Sequence, residues 1–233
     1  MSRVLTALRH HPSGLLLGGQ LLVILAFPFL DSSTGGRAVI GVVQMVVVFT
    51  AVAAVRLTPA LSWVALLLGL PAMVFAVVEA VNQDVDWVVL TSALVHAPFY
   101  FYVSYAMIRY LFHDDRVTRD ELFATGAAFT VVAWAFAYVY AAAQVVWPGS
   151  FVGADGKEQE WFSLLFLSFT NLTSVGLSDV LPVDAHARSL VMVEQVAGVL
   201  YVALVIARLV GLTVARASIR AEQPAEQSAD DQG

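Results

Sequence analysis

No cysteine occurs among the 233 residues, which excludes disulfides, thiolate metal sites and thiol catalysis. Charge is scarce as well. Charged residues make up 13% of the chain and apolar residues 59%, against about 25% and about 45–50% in soluble domains. That apolar excess cannot all be buried in one core of this size, so lipid is expected to solvate much of the surface. His10-His11 and His113-Asp114-Asp115 lack a metal-site framework. Neither a phosphate-cradling Gly-rich loop nor a Ser/His/Asp arrangement stands out. An enzyme is therefore not expected, nor a cofactor, nor a nucleic-acid partner, and the chain has no internal repeat.

What the chain has is long hydrophobic runs. Six segments, at about 14–30, 38–57, 60–81, 87–112, 121–147 and 187–215, approach or exceed the ~20 residues a spanning helix needs. Between the last two lies an apolar piece at 161–175, shorter than a span and better suited to a re-entrant segment. The basic residues test this. With the N-terminus inside, Arg3, Arg9, Arg56, Arg109, Arg116, Arg119, Arg208, Arg216 and Arg220 fall on the cytoplasmic side. Arg37, Lys157 and Arg188 fall outside, giving nine against three of the 12 basic residues, as the positive-inside rule expects. A full crossing at 161–175 would make the count even. The first run lacks a small-residue cleavage site and is expected to be a retained helix rather than a signal peptide.

From Phe166 the chain reads Phe-Leu-Ser-Phe-Thr-Asn-Leu-Thr-Ser-Val-Gly-Leu-Ser-Asp-Val-Leu-Pro. This stretch resembles the pore loop of tetrameric potassium channels, whose selectivity filter is usually written T-x-V-G-Y-G-D after a short pore helix. Thr173, Ser174, Val175, Gly176 and Asp179 fall on the pattern, and Pro182 matches a proline just beyond it. The resemblance extends over about residues 120–215, with the fifth span as outer helix and the sixth as inner helix. It implies an all-α membrane protein of six transmembrane helices, with a re-entrant pore helix and filter loop between the fifth and sixth. Four copies would assemble as a homotetramer in the plasma membrane. Residues 1–13 would be a cytoplasmic N-terminus, 14–116 a four-helix transmembrane domain, and 117–217 the pore domain. Residues 218–233, polar and without apolar periodicity, would be a disordered cytoplasmic tail.

By the same resemblance, carbonyls of Ser174, Val175, Gly176 and Leu177 from four chains would replace the water shell of K+ or another monovalent cation such as Na+. K+ sites would lie at Ser174, Val175 and Gly176. Glu194, Gly198, Val202, Val205 and Ile206 would belong to the pore-lining helix. Two residues depart from the pattern: Leu177 replaces a tyrosine and Ser178 the second glycine. A left-handed conformation at Ser178 would cost about 1–2 kcal/mol per chain, so altered or reduced K+ selectivity is expected. The alternatives are a non-selective or sodium-permeable channel, or a non-conducting sensor or assembly subunit that keeps the pore fold. Phe166 stands where relatives carry a tryptophan that bonds the filter aspartate. Asp155, Glu158, Glu160, Asp179 and Asp184 would form an acidic rim.

Voltage sensing requires several basic residues at every third position of the fourth span, and that segment has only Arg109. Glu79 is expected as an interfacial anchor, with pairing inside the bundle as the alternative, and His96 as a structural histidine, with a kink or proton-sensitive spot at His96 and Pro98 as the alternative. Pro28 and Pro71 read as tolerated kinks.

Overall fold

The computed structural model describes residues 12–30, 39, 42–43, 46–51, 53, 62–82, 85–112, 119–154 and 156–230. Its elements are α1 (Pro12–Leu30), α2 (Ser62–Val81), α3 (Asp86–Leu111), α4 (Arg119–Val146), β1 (Phe151–Val152), α5 (Trp161–Leu172), β2 (Leu181–Pro182) and α6 (Ala185–Asp230). Among them α1, α2, α3, α4 and α6 contain stretches long and apolar enough to cross a membrane, and α5 does not. The expected span at 38–57 lies largely outside the described residues. Residues 46–51 within it are helical, and Val47, Val48 and Ala51 are buried.

Alanine explains the tightest packing. Ala124, Ala127, Ala128, Ala133, Ala135 and Ala137 of α4 are all buried, and side chains this small let a neighbouring helix approach closely. Helix α3 fills the space with Phe99, Tyr100, Val103 and Met107. The outward faces of α1 and α2 carry Leu22, Leu25, Phe29, Leu67, Leu70 and Val74, all exposed, the surface a lipid-facing helix presents. Helix α1 packs on α4, α2 on α3, and α4 on both α5 and α6.

Helix ends in an apolar medium need partners for their free N–H groups. The Asp120 carboxylate supplies one, accepting from Ser13 N at 3.2 Å and Ser13 Oγ at 2.9 Å. One carboxylate in the first turn of α4 thus holds the start of α1, which brings the N-termini of both helices to the same face.

Two expectations need correction. Glu79 is not an interfacial anchor: its carboxylate accepts a hydrogen bond from Ser92 Oγ of α3 inside the bundle. The polar tail is helical through Asp230 rather than disordered from residue 218. Ala221, Glu222, Gln223, Ala225, Glu226 and Gln227 are strong helix formers, and the helix nucleated by the apolar part of α6 continues into them in spite of Pro224, which removes one backbone donor.

Candidate functional site

The segment from Trp147 to His186 begins and ends at one face of the molecule. The Trp147 indole, just past α4, stacks on the His186 ring in the first turn of α6 at 4.3 Å and 9°. Strands β1 and β2 pair antiparallel, Phe151 opposite Pro182, and Val183 N donates to Ser150 O at 2.9 Å. Gly149 makes the turn out of α4 with φ of 77°, a conformation glycine adopts without strain. Its N–H donates to Glu158 Oε1 at 2.8 Å. Gln144 clamps the approach to α5 from both sides: its Nε2 donates to Gln159 O at 2.9 Å and its Oε1 accepts Gln159 N at 3.0 Å. Asp184 caps α6, its Oδ1 accepting Ala187 N at 2.6 Å.

Helix α5 is held from behind by a buried carboxylate. Glu194 of α6 is fully buried and accepts hydrogen bonds from Tyr140 Oη of α4 and Ser168 Oγ of α5. Ser168 Oγ also lies 2.8 Å from Ala133 O. A charge at this depth is expensive unless partnered, and here one side chain joins three helices. One turn on, Gly198 lies so close to the end of α5 that a Cβ would meet the Leu172 carbonyl oxygen. Only glycine permits that approach. A third tie is Tyr201 Oη, which donates to Thr125 O at 2.5 Å.

Beyond α5 the chain turns out of the helix at Thr173, with φ of −82° and ψ of −4°. Ser174 follows at φ of 59° and Gly176 at φ of 69°. The backbone therefore alternates in hand over 173, 174 and 176. Three successive N–H groups point back at the helix end: Ser174 N to Asn171 O, and Val175 N and Gly176 N both to Thr170 O, each at 2.9 Å. With the N–H groups committed to that side, no backbone N–H among the described residues donates to the carbonyls of residues 173–177. Those residues are exposed, Val175 and Leu177 at 59% and 73%, until Val180 anchors the chain at 1%. A row of free carbonyls pinned at the end of a short helix suits a dehydrated cation, which needs oxygen ligands and no donors. The C-terminal end of α5 adds negative potential there.

Ser178 does not carry the left-handed strain expected of it. Among the described residues Ser174 alone is a non-glycine with positive φ. The cost of about 1–2 kcal/mol falls there, offset by the three N–H bonds around it. Ser178 instead uses its hydroxyl, which accepts Val180 N at 3.1 Å, a local turn that serine favours. Asp179 and Phe166 are exposed. Asp155 lies outside the described residues. Glu158 and Asp184, expected in an acidic rim, spend carboxylate oxygens on Gly149 N and Ala187 N.

The inner-helix residues divide. Glu194 and Gly198 face α4 and α5, and Val205 packs against the chain's own core, so these three are not on an open face. Val202 and Ile206 are exposed at 44% and 55%. Sequence reading missed Tyr140, Ser168 and the backbone acceptor Thr170. A serine within the apolar run Trp161–Leu172 was the one available signal, since a hydroxyl in lipid needs a partner.

Comparison with known proteins adds one match. No curated protein and no solved structure matches the chain. Residues 124–215, from within α4 through the apolar part of α6, match the family described as "Ion channel". The match covers the helix–loop–helix unit just described: the chain is a multi-pass membrane protein whose residues 124–215 are similar to an ion-channel family.

Proposed function

We propose that four copies of this chain surround a pore that passes monovalent cations, with the carbonyls of Ser174, Val175 and Gly176 as ion ligands and Leu177 to Asp179 forming the outer mouth. The observation that carries this is the 173–176 backbone. Its alternating hand and inward N–H bonds leave consecutive carbonyls without a backbone donor among the described residues. One loop per chain cannot encircle an ion, so a closed ring of copies is required. Val202 and Ile206 would face the pore or a neighbouring copy; Glu194 and Gly198 are positioning residues behind the filter.

The six-span layout has geometric support. The starts of α1 and α4 share Asp120 and so lie on one face. The seven residues 112–118 reach at most about 25 Å, too short to cross a bilayer core of about 30 Å. Helix α3 therefore ends on that face, and α2, joined to α3 by a short turn, begins there. Helix α1 ends on the opposite face, so the chain between Leu30 and Ser62 must cross back. Residues 38–57 are the apolar run of suitable length for that span. The stacking of Trp147 on His186 supports a return of the 147–186 segment to the face it left, with α5 as a re-entrant pore helix. With nine of 12 basic residues on the α1-start side, both termini are cytoplasmic and 14–116 is a four-helix domain beside the 117–217 pore domain, in the plasma membrane.

Selectivity follows from where the alternation stops. Left-handed residues occur at 174 and 176 but not at 178, so the inner ligand rings are of potassium type and the outer ones are not. The test is the bi-ionic K+/Na+ reversal potential of purified protein in planar bilayers. Wild type should prefer K+ weakly, and Leu177→Tyr with Ser178→Gly should strengthen that preference. An unmoved reversal potential would refute this account of the outer filter, and a Na+ preference would favour a sodium-permeable channel.

A further inference from the structure

Among the buried titratable groups outside the filter and its support, one is a histidine. His96 sits in the middle of α3 at 0% exposure. Its Nδ1 lies 2.9 Å from Ser92 O and 3.0 Å from Ser92 Oγ. The Ser92 hydroxyl proton is already donated to the Glu79 carboxylate of α2, and a backbone carbonyl only accepts. Both contacts therefore require the proton on Nδ1. In the neutral ring that leaves Nε2 as a bare acceptor, and Nε2 is buried with no hydrogen-bond partner. An unpartnered buried nitrogen is uncommon, and this one belongs to the side chain whose charge most readily changes near neutral pH.

The ring is also in contact with the conduction unit. It stacks on Tyr138 of α4 at 4.5 Å and 8°. Tyr138 packs on Trp161, the first residue of α5, at 5.4 Å, and Trp134 meets Trp161 edge-on at 5.5 Å. Among the described residues, the titratable groups around His96 are Glu79 from α2, Tyr100 on its own helix and Tyr138 from α4; α5 approaches through Trp161, which packs on Tyr138 and does not titrate. The Ala72 backbone of α2 is the ring's further hydrogen-bonding neighbour, outside full hydrogen-bond geometry at Nε2.

Building on the channel reading, we infer that His96, oriented by Ser92 and Glu79, is a buried proton-binding site in the four-helix domain that communicates with the pore helix through Tyr138 and Trp161. A proton taken up from solution adds to Nε2 and makes the ring an imidazolium. Glu79, one hydroxyl away, supplies the counter-charge. The face of Tyr138 meets a cation in place of a neutral ring, and the start of α5 shifts with it.

The test combines two measurements on the reconstituted full-length protein. Nitrogen NMR of histidine-labelled protein, with the His96 signals assigned by their disappearance in His96→Gln, follows Nε2 directly and needs no ion flux. Potassium flux is measured over about pH 4–8, the range in which a perturbed imidazole changes charge. Flux should change about fivefold or more across the Nε2 titration, a usual size for coupling between sites, and His96→Gln should flatten the profile. In Glu79→Gln, loss of the counter-charge should move the NMR and flux midpoints together to lower pH. Absence of Nε2 titration overturns the proposal. So does titration without a flux change, or a pH profile that persists in His96→Gln or stays unmoved in Glu79→Gln. Titration of Nε2 with no flux at any pH would overturn the channel reading, and the coupling with it, while leaving the proton site standing.

Discussion

Replacing Gly198 by alanine should destabilise the protein even though alanine is the better helix former. In a helix interior that exchange normally stabilises by about 0.5–1 kcal/mol. At Gly198 the new Cβ would run into the carbonyl oxygen of Leu172, with that residue's carbonyl carbon and Cα directly behind. These are backbone atoms at the end of α5, so no side chain can rotate aside. Overpacking of this kind costs about 1–3 kcal/mol, which outweighs the propensity gain and leaves a net loss of about 1–2 kcal/mol. Gly18, exposed in α1, is the control: an alanine Cβ there would find nothing within 4 Å and should gain the propensity term alone. Melting in detergent micelles, followed by tryptophan fluorescence, reads both. At about 2–4 °C per kcal/mol for a chain of this size, Gly198→Ala should melt lower by about 2–8 °C and Gly18→Ala higher by about 1–4 °C. A Gly198→Ala protein as stable as wild type or more so would refute the close approach of α6 to α5.

Three further outcomes test the support around the loop. Tyr140→Phe and Ser168→Ala each deprive one Glu194 oxygen of its donor and should cost about 1–3 kcal/mol; chemical denaturation of the double variant should show less than the sum, because the two share one carboxylate. Asp120→Ala removes the acceptor that holds the start of α1 and should cost about 0.5–2 kcal/mol, with amide exchange rising in the first turn of α1. Ser174→Gly removes the left-handed strain at φ 59° and should raise the melting temperature, whereas Ser178→Gly should not.

Much of the architecture was legible in the sequence because a bilayer imposes length. The runs at 14–30, 60–81, 87–112, 121–147 and 187–215 all became helices within a few residues of their expected ends, apart from the extension of α6 into the polar tail. The shortness of 161–175 gave away α5. The Thr173–Gly176 motif located the loop, but its backbone did not follow from residue type. Glycine at 176 announced a positive φ, while the serine at 174 gave no such sign, since its strain is sustained by bonds to Thr170 and Asn171. The carboxylate of Glu194 was visible as an intramembrane charge, yet its partners Tyr140 and Ser168 lie 54 and 26 residues away on other helices. No local spacing encodes them. Glu79 misled for the same reason: its nearness to a helix end suggested the interface, and Ser92 on the adjoining helix decided otherwise.

The central claim is that the free carbonyls of residues 174–176 form a cation path when copies of the chain assemble. The most direct measurement is the reversal potential of purified, reconstituted protein under a tenfold potassium chloride gradient. A cation path predicts a conductance whose reversal potential lies close to the cation limit of about 59 mV for a univalent ion. A reversal potential on the chloride side, or no conductance from the intact reconstituted protein at any pH, would contradict it.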